Sequence, residues 1–181
     1  MRICIVGAGA IGGLLAVRLT ISGHAVSVIA RGDHLTAIQR NGLELVEKDG
    51  SITSVSDLAA FDDFKAPGIT DVVVLALKAH QILEVADQLT HLYGPQTVVL
   101  PVQNGIPWWY FQGHGGPYDG YRLKKLDPKG TLFEHIPAER ILACIPYPAA
   151  EKIAPGRIKH VEGDRFPIGE LDAVGSISVV L

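Results

Sequence analysis

Three glycines stand at GxGxxG spacing in Gly7-Ala8-Gly9-Ala10-Ile11-Gly12, within the first dozen residues of the chain. Each has a mechanical use. The first permits a tight turn, the second lets backbone approach a bound pyrophosphate, and the third lets the next helix pack close to the preceding strand. The N–H groups that open such a helix, and its positive dipole end, then face the phosphates. Two more positions carry chemistry. Lys78 follows the apolar run "DVVVLAL", and Asn104 follows "QTVVLPV", so both fall at carboxyl ends of strands, where open α/β sheets bind ligands.

GxGxxG alone is weak; its context decides. "RICIV" (2–6) is a continuous apolar run of the kind a parallel strand buried on both faces requires. "AIGGLLAVRLTIS" (10–22) places Ile11, Leu14, Leu15, Val17, Leu19 and Ile21 at helical spacing. Gly23-His24 stops it and "AVSVIA" (25–30) resumes as a strand. Strand, glycine turn, helix and strand make a βαβ unit, which is where the motif binds a dinucleotide.

The end of that second strand faces the adenosine ribose. An acid there would hydrogen-bond the 2′-hydroxyl of NAD; Arg31 stands there instead, a cation suited to the 2′-phosphate of NADP. The expected cofactor is therefore NADP.

Further along, Asp33 is expected to cap a helix over 34–41 that Asn41-Gly42 ends. "LELV" and "ITSVS" flank Lys48-Asp49-Gly50 as a hairpin. A strand over 71–77 and a helix over about 79–93, closed by Gly94-Pro95, precede the strand at 96–102. Residues 107–130 read as a loop region rich in Gly, Pro and aromatics. Its "PWWYFQ" has two open readings: a lid over the nicotinamide, or burial against a second domain or the core. "RILACIPYPA", "GRIKHVE" and "RFPIGEL" read as three short strands, expected as a mixed extension of the sheet. The fold class is thus α/β, a Rossmann-type doubly wound, mostly parallel sheet with a few extra short strands.

Composition agrees. The 181 residues are 48% hydrophobic and 19% charged with a net charge of −3, a globular balance with enough chain for one full core. No like-charge run exceeds Lys124-Lys125, so neither nucleic acid nor a membrane surface is an expected partner. The apolar N-terminus is broken by glycine within six residues, unlike a signal peptide, and the expected location is the cytoplasm. Cys4 and Cys144 lie in strand-like runs and read as buried thiols. The seven histidines share no ligand spacing, so no metal is expected.

Taken in order, GxGxxG, Arg31, "LKAHQ", "VQNGI", "YPAAEKIAPGRIKH" and "RFPIGE" resemble the ketopantoate reductase family, the 2-dehydropantoate 2-reductases, from residue 1 to about 172. The resemblance implies NADPH-dependent reduction of a 2-keto acid to a 2-hydroxy acid in pantothenate biosynthesis, on the route to coenzyme A. It implies that Gly7, Ala8, Gly9, Ala10, Ile11 and Gly12 hold the pyrophosphate and Arg31 the 2′-phosphate. Lys78 and Gln81 would lie beside the cofactor, Asn104 would touch both cofactor and substrate, and Ala150 would offer backbone to the cofactor.

The family also has a helical second domain carrying its proton-donating lysine. No lysine follows "GEL" in this chain, so no catalytic residue is assigned within it. The expected lysine would lie beyond Leu181, the helical domain is expected to be absent, and the 181 residues are expected to be one domain, truncated and inactive alone. Two alternatives stay open: a reductase of another 2-keto acid, and a non-catalytic NADP-binding module. Apolar surface left by a missing domain would favour a homodimer.

Overall fold

A computed structural model describes residues 1–113 and 115–171, together with the backbone of 179–180. The chain runs β1 (Arg2–Val6), α1 (Ala10–Ile21), β2 (Ala25–Ile29), α2 (Gly32–Asn41), β3 (Leu43–Val46), β4 (Ile52–Val55), β5 (Ala59–Phe61) and β6 (Thr70–Leu75). After these come α3 (Ala79–Ile82), β7 (Tyr93–Pro101), α4 (Thr131–His135), β8 (Ala143–Cys144), β9 (Ala149–Ala154), β10 (Arg157–Glu162), β11 (Pro167–Gly169) and β12 (Val179–Val180).

Five strands form a parallel sheet in the order β5-β2-β1-β6-β7. The register places their carboxyl ends in one row, because Phe61 pairs with Ile29, Ile29 with Val6, Val6 with Leu75, and Leu75 with Pro101. Backbone bonds carry that row past the strand ends: Gly7 N–H to Ile29 O (3.0 Å), Ala30 N–H to Phe61 O (2.9 Å) and Ala76 N–H to Val6 O (2.9 Å). The strand order reverses beside β1, so the crevice of a doubly wound sheet opens at the glycine turn.

A second sheet, β4-β3-β10-β9, covers α1 from the other side. This explains why α1 is apolar around most of its girth: Gly12, Gly13, Leu14, Leu15, Ala16 and Val17 are all buried between two sheets. A Cβ on Gly13 would stand 2.6 Å from Ile158 of β10, so a glycine sets this close approach. The expected hairpin is present, with Gly50 at φ +86° and the Asp49 carboxylate accepting from Ser51 N–H at 2.9 Å.

Three sequence expectations need correction. The strand expected at "GRIKHVE" does not extend the main sheet, and a strand at 149–154 pairs with it. β10 pairs parallel with β3, so β9 and β10 close the second sheet over α1, while β8, with β11 and β12 beside it, continues from β7 through the bridges Val99–Ile141 and Val102–Cys144. The helix expected over 79–93 is one turn, α3, followed by turns and a 3-10 helix at Gln88–Leu92. Its apolar set is still buried, but Ala86, Leu89 and Leu92 recur every three residues, the period of a 3-10 helix. Gly94-Pro95 does not close that segment but opens β7. The register with β6 is irregular there, and Thr97 Oγ1 accepts from Gly94 N–H and donates to Thr70 O. Proline is tolerated at such an irregular strand start.

Helix α2 also starts earlier than expected. Arg31, not Asp33, is its N-cap residue, and Asp33 sits in the first turn where its charge suits the dipole. Gly42, at φ +75°, ends the helix with its N–H on Ile38 O. In the loop region, Trp108 and Trp109 are each only 6% exposed and meet edge to face at 4.3 Å, within the cluster of Ile82, Val85, Leu132, Ile136 and Ile141. Of the two open readings for this segment, burial in the core of this chain is the one the tryptophans adopt. Cys4 and Cys144 are free and buried, and burial pushes both thiols up to about 11.

Candidate functional site

The glycine turn is specified atom by atom. Gly7 has φ +100°, and a Cβ there would lie 2.7 Å from Leu77 Cδ2 and 3.1 Å from Ala76 O. A Cβ on Gly12 would run into the carbonyl oxygen of Gly7. Gly9 differs: nothing lies within 4 Å of where its Cβ would stand. That open space lies at the N-cap of α1, which has no side-chain cap and no acid in its first turn. The N–H groups of Ala10, Ile11 and Gly12 come before the first i→i−4 bond of the helix, that of Gly13 N–H to Gly9 O at 2.7 Å. An anion is the natural partner for such a helix start. The residues present therefore fit a dinucleotide pyrophosphate: two glycines shape the turn, and the third leaves room for a ligand.

A cleft of about 370 Å³ extends from this turn. Gly7, Ala8, Gly9, Arg31, His34, Asp62, Phe64, Gln81, Glu84 and Lys152 are among the residues that line it. Arg31 and Gln81 thus line the same cleft as the glycine motif. Arg31 is exposed and has no ion-pair partner among the described residues. A larger hollow of about 520 Å³ lies beside β7 and β8, but its cation, Arg140, is committed to the carbonyls of Gly94 and Thr97 at 2.9 and 3.0 Å.

Other expected residues stand along the same strand ends without lining the cleft. Lys78 is exposed at the start of α3, where its N–H donates to Gln81 Oε1 at 3.0 Å and so fixes the Gln81 side chain. Asn104 is exposed just after β7. Its neighbour Gln103 donates from Nε2 to Leu75 O (2.8 Å) and Leu77 O (3.3 Å), which ties the end of β7 to the end of β6. Ala150 is half-buried on β9 opposite His160, and Lys152, two residues further on the same strand, reaches the cleft.

Sequence reasoning missed His34, Asp62 and Lys152. His34 is buried, and its Nε2–H donates to Ala8 O at 2.6 Å while its Nδ1 accepts from Gly156 N–H at 2.9 Å. Burial lowers its pKa first of all, with the Lys152 charge adding to that, against an opposing effect of the bond to Ala8. The neutral Nε2–H tautomer is the one that satisfies both bonds. His34 thereby ties the glycine loop to the β9–β10 turn, a long-range contact no local pattern announces. The period-two alternation from Ala150 was the available signal for Lys152.

Among the described residues no group of three or more His, Cys, Asp or Glu could hold a metal ion, and no helix is long and apolar enough to cross a membrane.

Comparisons with known proteins follow this geometry. The family model "Ketopantoate reductase PanE/ApbA" matches residues 3–173. The 2-dehydropantoate 2-reductase of Mesorhizobium japonicum is 48% identical across 100% of this chain and 55% of its own length. A solved structure from Ralstonia solanacearum MolK2 superposes at a TM-score of 0.89 with 42% identity, over 94% of this chain and 52% of its own. The ternary structure of D-mandelate dehydrogenase with NADH and anilino(oxo)acetate, 23% identical with a TM-score of 0.73 over 96% of this chain and 50% of its own, shares the fold. The chain spans about half the length of the curated relatives it matches. With a turn, strand order and cleft that fit the match over nearly every residue, the chain belongs to the ketopantoate reductase PanE/ApbA family.

Proposed function

We propose that this chain supplies the NADPH-binding half of a 2-dehydropantoate 2-reductase, reducing ketopantoate to pantoate in pantothenate biosynthesis. The observation that carries the reading is the cleft in which the uncapped helix start and Arg31, with no ion-pair partner among the described residues, face one ligand space. Gly7 through Gly12 hold the pyrophosphate on backbone N–H groups, and Arg31 holds the 2′-phosphate through its planar fork of donors. Gln81, fixed by Lys78 N–H, borders the cofactor, and Lys78 and Asn104 stand at the strand ends toward the nicotinamide and the substrate. Ala150 adds backbone from β9. When bound, the cofactor supplies the hydride. Proton delivery to the reduced oxygen is assigned to the family's helical half, in keeping with the need for an acid within hydrogen-bond reach.

Asp62, at the end of β5, favours a second reading of the cofactor alone. It lines the same rim, and a carboxylate there can accept from the ribose hydroxyls of NADH. Fluorescence titration of the chain with NADPH and NADH decides between them. NADPH is expected to bind about 10- to 100-fold more tightly, as one charge-assisted phosphate contact allows. Arg31→Ala removes that margin and leaves NADH binding close to wild type. Equal affinities in the wild type would overturn the NADP assignment. For the reaction, ketopantoate-dependent NADPH oxidation is expected when the helical half of the Mesorhizobium japonicum relative is supplied in trans; turnover of other 2-keto acids but not this one would reassign the substrate.

The same reading places the protein in the cytoplasm and pairs it as a homodimer through exposed apolar residues such as Ile106, Tyr118 and Tyr147, which are 69%, 61% and 62% exposed. Sedimentation of the chain tests the pairing.

A further inference from the structure

We infer that Lys152, on β9, is a second cationic contact at the adenosine end of the cleft, closing with Arg31 on one phosphate monoester. The inference rests on the dinucleotide reading above and goes beyond it in naming a residue that discriminates between cofactors.

Strand register sets the direction of the side chain. In the β9–β10 pair, Lys152 stands opposite Ile158. Residues directly opposite in an antiparallel pair share a face of the sheet. Ile158 is fully buried, and its face is the one against Gly13 of α1. Lys152 therefore leaves the strand toward α1, and it lines the cleft with Ala8, Gly9, Arg31 and His34. An ordinary solvated lysine would use the other face of the strand, as its neighbour Glu151 does opposite Lys159.

The strand pair that carries it is anchored to the phosphate loop. Gly156, in the β9–β10 turn, donates to His34 Nδ1, and His34 donates to the carbonyl of Ala8. Gly156 O also accepts from Glu44 N–H at 2.9 Å, so the turn is held from the β3 side as well. The distance from the lysine's strand to the glycine loop is thus set by backbone and by a buried ring.

Among the described residues Lys152 has no ion-pair partner. Asp62 and Glu84 line the same cleft, yet neither forms an ion pair with Lys152 or Arg31 among the described residues. A phosphate monoester carries between one and two negative charges near neutral pH, more than one guanidinium neutralises. A ribose 2′-hydroxyl offers a second cation nothing. A Lys152 that meets the 2′-phosphate must therefore favour NADPH over NADH, whereas a Lys152 on the pyrophosphate, which both dinucleotides carry, must favour neither.

Titration of the chain and of Lys152→Gln with NADPH, NADH, 2′,5′-ADP and 5′-AMP reads the difference directly. Lys152 is exposed, and a matched thermal melt confirms that the variant is folded. The variant is expected to weaken NADPH and 2′,5′-ADP by about 5- to 20-fold at low salt and to leave NADH and 5′-AMP within about twofold, with Lys152→Arg restoring most of the loss. An equal loss for NADPH and NADH would move the contact to the pyrophosphate and overturn the inference, as would no loss at all. Arg31→Ala, run alongside, separates the two layers. If it erases the NADPH preference while Lys152→Gln does not, only the inference fails. If the wild type shows no preference, the cofactor reading fails and takes the inference with it.

Discussion

The two ends of the strand row are built differently. At the β1–β2 end, backbone and buried groups hold the glycine loop in place. Gly7 is bonded to Ile29, Gly12 sits against the Gly7 carbonyl, and His34 joins the loop to Gly156. At the β6–β7 end, Lys78, expected beside the cofactor, and Asn104, expected on cofactor and substrate, are exposed side chains next to the Gln103 amide that ties β7 to β6. The end proposed to hold the constant part of a dinucleotide is built within this chain. On the proposed reading, the end toward the nicotinamide presents groups that are still open to solvent.

The largest expected effect breaks the first end from within. Gly12→Ala would gain about 1 kcal/mol of helix propensity, but its Cβ would collide with the backbone oxygen of Gly7, which cannot rotate away. Overpacking against backbone costs about 3 kcal/mol and wins. A urea titration should show that loss, a large share of the stability of a domain. Gly9→Ala sharpens the contrast, because its Cβ meets nothing. Stability should stay within about 0.5 kcal/mol, while NADPH binding falls by more than about tenfold because the methyl group occupies the phosphate's place. Equal behaviour of the two variants would erase the distinction between a glycine that shapes the turn and one that leaves room.

This pair also marks what the sequence could reveal. GxGxxG was legible because two close approaches and one space left for a ligand call for three glycines at fixed spacing, and the flanking apolar runs identify a buried parallel sheet. Arg31 was legible because its place follows from the end of β2. His34 was not, since its partner Gly156 lies 122 residues away, and the alternation from Ala150 points to Lys152 only once β9 is paired with β10. Nothing in "GRIKHVE" says that it pairs with β3 rather than β8, because both offer a short apolar edge. The break in the 79–92 segment was hidden for a similar reason. Spacings of three and four residues share most of their apolar positions, and the turn chosen depends on how Trp108 and the other residues of that cluster pack beneath it.

A middle-sized effect tests the link between loop and hairpin. The His34 pKa is lowered from 6.5, chiefly by burial. Above pH 6.5 the ring is neutral in both the folded and unfolded states, and the hydrogen bonds contribute fully. As pH falls below 6.5 the unfolded chain takes up a proton that folded His34 refuses, so stability is lost on acidification, by at most about 1.4 kcal/mol per pH unit. The carboxylates held low by hydrogen bonds, Asp49, Asp71 and Asp164, act in the same direction but start from 3.8, which leaves the interval between for histidine. His34→Gln should cost about 1–3 kcal/mol at neutral pH and flatten the stability profile just below 6.5. A profile of unchanged slope would mean that another group titrates there.

The smallest effect belongs to the other end of the row. Lys78 and Asn104 are exposed and bury little, so Lys78→Ala and Asn104→Ala should each leave stability within about 0.5 kcal/mol. In the 181-residue chain they should also weaken NADPH binding by less than about threefold, because a solvated side chain gains little from a contact still open to water. With the helical half supplied, the same substitutions should lower turnover far more than they raise the cofactor's Kd, since a group enclosed at the reacting end acts in a lower dielectric. A large loss of NADPH affinity in the 181-residue chain would mean that this end is already built, and that the contrast between the two ends lies in the side chains rather than in the enclosure.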